Sequence, residues 1–165
     1  MIEDIIGKAK LWKKGIPYEG FSAGQKFNHH WGRTITESDN LLFSTLTLSF
    51  VPLYFNRAYA RAHGHPDIVI NPQLIFNVTL GLSVEDCSEG LGGPFLGVYD
   101  LVYHRHAYPG VTLTASSTTI ETRHSASNPA NGIVTWVTEG HDQDGNLLIS
   151  FRRSNLGHRR EGSAL

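Results

Sequence analysis

Cysteine is all but missing from this sequence: Cys87 is the one thiol in 165 residues. A single cysteine excludes an internal disulfide, is no metal site on its own, and suits a reducing cytosol. Net charge is missing too. Fourteen Lys and Arg stand against 15 Asp and Glu, so no field steers the chain toward nucleic acid or an anionic membrane surface. No stretch reaches the roughly 18 consecutive apolar residues of a bilayer span. The opening residues, MIEDIIGKAKLWKKG, mix acids with lysines and lack the apolar centre of a signal peptide. Repeats and low-complexity tracts are also absent, and the 17 glycines are spread along the chain rather than pooled in a linker. These absences predict a soluble, cytoplasmic protein of one domain over residues 1–165, long enough to bury a real core.

What is present reads as α+β. Ile2, Ile5, Ile6, Ala9 and Trp12 fall at helical spacing and predict an N-terminal helix or arm over 1–14. Gln25 to Ile35 reads as a first strand with Phe27 and Trp31 on one side. Thr36 and Asp39 form a capping pair ahead of a helix from Asn40 to Leu46. Asn56 to Ala62 offers a further turn or two, closed by Gly64 and Pro66. Asn71 is a cap and Pro72 suits a first helical position, where no N–H is needed. The helix they start, Asn71 to Asp86, carries Leu74, Ile75, Val78, Leu82 and Val84 on more than one face, which predicts burial, with Val78 and Leu82 nearly inaccessible. Strands follow at Phe95 to His106, Thr112 to Arg123, Gly132 to Asp142 and Leu147 to Asn155. They are separated by the turn signals Tyr108-Pro109-Gly110, Asn128-Pro129-Ala130-Asn131 and Asp142-Gln143-Asp144-Gly145. Residues 156–165 are expected to form a flexible tail. An antiparallel sheet wrapped around one long central helix satisfies this order.

Six segments carry a family resemblance: HHWGRTITESDNLLFSTLT, the loop ending Pro52-Leu53-Tyr54-Phe55-Asn56, NPQLIFNVTLGLSVED, Tyr108-Pro109-Gly110-Val111-Thr112, RHSASNPANGIV and DQDGNLLISFRRSNL. In order and over about residues 15–160, they resemble the MaoC-like dehydratases and hydratases of the hot-dog superfamily, nearest the mesaconyl-CoA hydratase branch. The resemblance implies a hot-dog domain, dimerisation through the sheets as a homodimer or with another hot-dog chain, and a tunnel for an acyl thioester bound to CoA or a carrier protein. No cofactor and no metal are expected.

Members of that family add water to a 2-enoyl thioester or remove it. They use a loop Asp or Asn to hold water and a His five residues later to exchange the α-proton, a task suited to a group that titrates near neutrality. In this chain those positions are Ser49 and Tyr54. Val51 stands where a polar residue is usual, and Val111 where an Asp is usual. The resemblance thus implies a catalytic pair of Ser49, positioning water or substrate, and Tyr54, acting as acid. Asn71 and the amides near Gln73 at the helix start would hold the thioester carbonyl. Arg33 meets substrate or braces the loop through Glu37 or Asp39. The same substitutions also fit a non-catalytic subunit that completes the tunnel of a catalytic partner, or a pathway-specific cyclase or isomerase. Alternation sends His29 and His30 to opposite faces, while His104 and His106 share one face of a strand with no third ligand in view. Arg152, Arg153, Arg159 and Arg160 read as a solvated terminal cluster or as contacts to a CoA phosphate.

Overall fold

The capping signals start the helices where the sequence places them. Thr36 Oγ1 accepts the Asp39 amide at 3.2 Å and the Asp39 carboxylate accepts the Thr36 amide at 2.9 Å. This reciprocal box opens α1, Glu37–Leu46. Asn56 Oδ1 takes the Tyr59 amide at the head of α2, Arg57–Ala62. Asn71 Oδ1 takes the Gln73 amide at 3.0 Å, and Pro72 occupies the first turn of α3, Pro72–Leu82. The computed structural model describes residues 15–160; the expected N-terminal helix or arm over 1–14 lies outside the described residues, as do 161–165.

The strands are β1 Lys26–Asn28, β2 Arg33–Thr34, β3 Gly92–Tyr103, β4 Thr112–His124, β5 Asn131–His141 and β6 Leu147–His158. They form an antiparallel sheet in the order β1-β4-β5-β6-β3, with β2 added to β4. β3 pairs with β6 on one side, and no described strand pairs with its other edge. The expected α+β architecture is therefore present, with the sheet curled around α3. Two cores hold it. One lies under α3 and gathers Ile35, Ile70, Leu74, Ile75, Leu113, Ile149 and Phe151. The other gathers Tyr18, Phe21, Cys87, Leu91, Val134 and Trp136. Gly140 sets the distance between helix and sheet, because a Cβ there would lie 2.6 Å from Thr79 Oγ1 on α3.

Several expectations change. The first strand is split: His29 turns inward between β1 and β2, its Nδ1 2.7 Å from Asp86 Oδ2 and its Nε2 2.9 Å from Ser117 Oγ. His30 is exposed, so the two do face opposite ways. Trp31, expected beside Phe27, instead lies on the surface, its indole N–H donating to Glu85. The long helix from Asn71 to Asp86 ends at Leu82, and a short α4, Val84–Cys87, follows. The cause is Arg153. Its fully buried guanidinium, stacked 5.0 Å from the Trp136 ring, donates to the Ser83 carbonyl and hydroxyl at 3.2 and 2.9 Å and takes up the helix end. Of the terminal arginines, Arg153 alone is thus buried: Arg152 stays exposed in a surface pair with Asp100, Arg159 donates to the Pro129 carbonyl, and Arg160 is exposed. Val78 and Leu82 are only half buried, since α3 presses Leu74, Ile75 and Thr79 into the core and leaves its outer face on an open groove beside Trp31 and Phe43. Finally, β6 runs to His158, so residues 156–158 are sheet rather than tail.

Candidate active site

The loop after α1 is shaped by its own backbone. Leu48 adopts a left-handed conformation at φ 55°, which turns the chain so that the Ser49 amide reaches back to the Ser44 carbonyl at 2.8 Å. A 3-10 turn, Pro52–Tyr54, then delivers Tyr54 inward. Asn40, completely buried on α1, fixes this arrangement. Its Nδ2 donates to the Tyr54 carbonyl at 3.0 Å and the Val69 carbonyl at 3.2 Å, and its Oδ1 accepts the Asn71 amide at 2.7 Å. Asn71 Nδ2 donates in turn to Ser44 Oγ at 3.1 Å. Two amides and a hydroxyl thus clasp α1, the loop and the start of α3.

Tyr54 opens onto a cavity of about 230 Å³ at the head of α3. Its apolar floor is Val69, Ile70, Ile75 and Leu148, and Pro72 brings the helix start to its wall. Opposite lie Tyr103, the last residue of β3, and the three residues after it, His104, Arg105 and His106. No Asp or Glu lines it. Burial pushes the Tyr54 phenol above its ordinary range, and burial followed by the neighbouring Tyr54 does the same to Tyr103. Both hydroxyls therefore stay protonated at neutral pH and serve as donors. Behind this wall, His65 and His106 meet edge to face with ring centroids 4.9 Å apart, and His65 Nδ1 lies 3.1 Å from the Tyr108 hydroxyl.

Of the residues expected at the site, Tyr54 reaches the cavity. Ser49 and Val51 do not line it; Ser49 is partly buried and Val51 is exposed. Asn71 is buried and binds α1 rather than the open space. Gln73 is exposed, and its amide is already taken by Asn71 Oδ1; the Leu74 amide goes to the Asn71 carbonyl at 2.9 Å. With Pro72 offering no N–H, the first turn of α3 has no free amide to hold a carbonyl. Arg33 pairs with Asp39 at 2.7 Å and braces the cap of α1, away from the cavity. His104 and His106 are not on a strand face, because β3 ends at Tyr103, yet both reach the cavity wall. Among the described residues no group of three His, Cys, Asp or Glu side chains is placed to hold a metal ion. Sequence reasoning missed Asn40 and Tyr103. Asn40 had a readable signal, a polar residue on the inward side of an otherwise amphipathic helix.

Comparison with known proteins identifies the family and the fold. The family model described as Mesaconyl-CoA hydratase matches residues 1–165. A Mesaconyl-CoA hydratase from Haloarcula hispanica is 35% identical over 98% of this chain and 45% of its own length. The solved structure of a MaoC domain protein dehydratase from Chloroflexus aurantiacus superposes with a TM-score of 0.86 at 27% identity, over 95% of this chain and 44% of that one. A monoamine oxidase regulatory protein from Archaeoglobus fulgius superposes at 0.79 and 25% identity, over 88% of this chain and 96% of that one. The chain thus spans about half the length of the first two proteins and nearly all of the third. The fold is the hot-dog fold, and the chain belongs to the mesaconyl-CoA hydratase family of MaoC-like proteins.

Proposed function

We propose that this chain is an acyl-thioester hydratase or dehydratase unit that takes the acyl group of a CoA or carrier-protein thioester into the cavity at the head of α3, with Tyr54 as the proton donor. The observation that supports it most is the placement of two protonated phenols, Tyr54 and Tyr103, in one mostly apolar cavity. Elimination of water needs a donor at the departing oxygen and a donor at the thioester carbonyl. Tyr54 serves the first. Tyr103 serves the second, which the α3 amides leave open. The field of an 11-residue helix that begins at the cavity adds to carbonyl polarisation without a direct bond. A cytoplasmic site of action fits the lone free thiol.

The cavity's chemistry also favours an acyl group that ends in a carboxylate, as mesaconyl-CoA does. Arg105 stands on a wall that itself carries no acid and makes no ion pair among the described residues, with Asp142 acting on it only from outside the cavity, and a guanidinium holds a carboxylate through paired donors. Arg105→Met is expected to raise the half-saturating concentration of mesaconyl-CoA about tenfold and leave that of crotonyl-CoA, which has no free carboxylate, unchanged. Equal effects on both would remove Arg105 from acyl recognition.

The open edge of β3 supports pairing with a second hot-dog unit, either another copy or a different chain. Phe95, Leu96, Tyr99, Val102 and Tyr103 are large, apolar and exposed along it, an unusual load for an unpartnered edge. Because Tyr103 closes the strand, a partner laid along β3 would also wall the cavity. Sedimentation at micromolar concentration is expected to give twice the chain mass. The half-length match to the longer relatives and the positions of Ser49 and Val51 favour a second reading, a non-catalytic unit completing a partner's tunnel. A chain that stays monomeric until a second hot-dog chain is added, and is inactive alone, would select that reading.

A further inference from the structure

We propose that His106 is the base that exchanges the proton at the substrate's α-carbon; the assignment rests on the hydratase reading above. Removal of water from a 3-hydroxyacyl thioester needs a group to accept the C2 proton. The cavity holds no carboxylate, and Tyr54 and Tyr103 enter as protonated donors. Two candidate bases remain on its wall, His104 and His106. His104 Nε2 is engaged with Ser150 Oγ at 2.8 Å, a bond that turns the ring toward β6. His106 has no hydrogen-bond partner among the described residues. Its ring, exposed on its other side, rests edge to face against His65, which the Tyr108 hydroxyl anchors. A base that is positioned by packing and keeps both nitrogens available is what proton abstraction requires.

The step closes without any outside reagent. His106 takes the proton from C2, and the electron pair of that C–H bond becomes the C2–C3 π bond as the C3–O bond breaks. Tyr54 delivers its phenolic proton to the departing oxygen, which leaves as water. The imidazolium then returns its proton to the phenolate, restoring both groups. Hydration runs the same transfers in reverse. The base and the acid stand on different elements, the segment after β3 and the 3-10 turn, so the acyl group lies between them. Sequence comparison alone would not suggest His106, because it stands about 50 residues beyond the loop in which this family's proton exchanger is sought.

The two roles separate on a thioester with no leaving group. 2-Methylsuccinyl-CoA, the saturated counterpart of mesaconyl-CoA, has a C2 proton to exchange but no hydroxyl to lose. In D₂O the wild type is expected to introduce deuterium at C2, read by mass spectrometry. Tyr54→Phe should still do so while failing to hydrate mesaconyl-CoA. His106→Gln should slow the exchange about 100-fold, and His106→Gly should recover at least tenfold of its loss on addition of imidazole. His65 acts through His106 as a positioning residue. His65→Asn should lower the exchange rate at saturating thioester several-fold, leave the half-saturating concentration unchanged, and have no further effect in the His106→Gln background. If His106→Gln exchanges at the wild-type rate while Tyr54→Phe has lost hydration, the base is elsewhere and the hydratase reading stands. A wild type that neither hydrates mesaconyl-CoA nor exchanges the saturated thioester overturns both.

Discussion

Tyr54→Phe is expected to lower mesaconyl-CoA hydration by about 10² to 10⁴-fold, the range a well-placed general acid contributes. The change removes one oxygen and keeps the ring, so the packing of the 3-10 turn and the Asn40 bond to the Tyr54 carbonyl are untouched. Thermal stability should move little, and the half-saturating thioester concentration should stay within a few-fold. A loss confined to the rate would place the hydroxyl at the reacting atoms, because an interaction made in the transition state alone lowers kcat without disturbing binding. Hydration at the wild-type rate would remove Tyr54 from the chemistry. An increase in the half-saturating concentration with the rate preserved would make it a binding group only.

Asn40→Ala carries the second large effect, on stability and site geometry together. The buried amide serves three backbone groups, the carbonyls of Tyr54 and Val69 and the amide of Asn71. Each backbone group left unsatisfied costs about 1–3 kcal/mol. Partial relaxation, or a water entering the small void, recovers some of this, so a net loss of about 3 kcal/mol is expected. In a chain of this length that lowers the melting temperature by about 10 °C. Activity should fall even below the melting transition, since the loop then loses its tie to the head of α3 and Tyr54 loses its fixed depth in the cavity. Asn40→Asp is the sharper control. It retains an acceptor for the Asn71 amide but turns a carboxylate toward two carbonyl oxygens, so it should be at least as damaging as alanine. A melting temperature within a degree or two of wild type for either variant would show that the clasp is incidental to the fold.

The parts of the fold that were legible in the sequence are those set by neighbours in the chain. Thr36 with Asp39, and Asn71 with Pro72, state their helix starts through caps that act within three residues. The turns at Tyr108-Pro109-Gly110 and Asp142 to Gly145 fix the meander in the same local way. The misread parts depend on partners far along the chain. The helix expected to run to Asp86 stops early because Arg153, 70 residues from Ser83, takes up its end. The first strand breaks at His29 because Asp86 and Ser117 hold the ring inward. The same division applies to the site. The loop motif brought Tyr54 to attention, and Tyr54 lines the cavity. Whether Ser49 joined it depended on a left-handed turn at Leu48, a conformation that leucine does not advertise. His104 and His106 entered the cavity because a strand ended three residues sooner than its pattern suggested.

The burial of Cys87 has a chemical consequence for a protein proposed to handle enoyl thioesters. These molecules are electrophiles: a thiolate adds to their β-carbon and becomes alkylated. Cys87, the sole sulfhydryl of the chain, lies with none of its surface exposed in the core beneath α4, outside the cavity wall. Burial pushes its thiol above the ordinary range, so the nucleophilic form is scarce even where Arg153 stands nearby. The native protein is therefore shielded from conjugate addition by the compounds it is proposed to bind, and that shield lasts only as long as α4 stays closed over the second core.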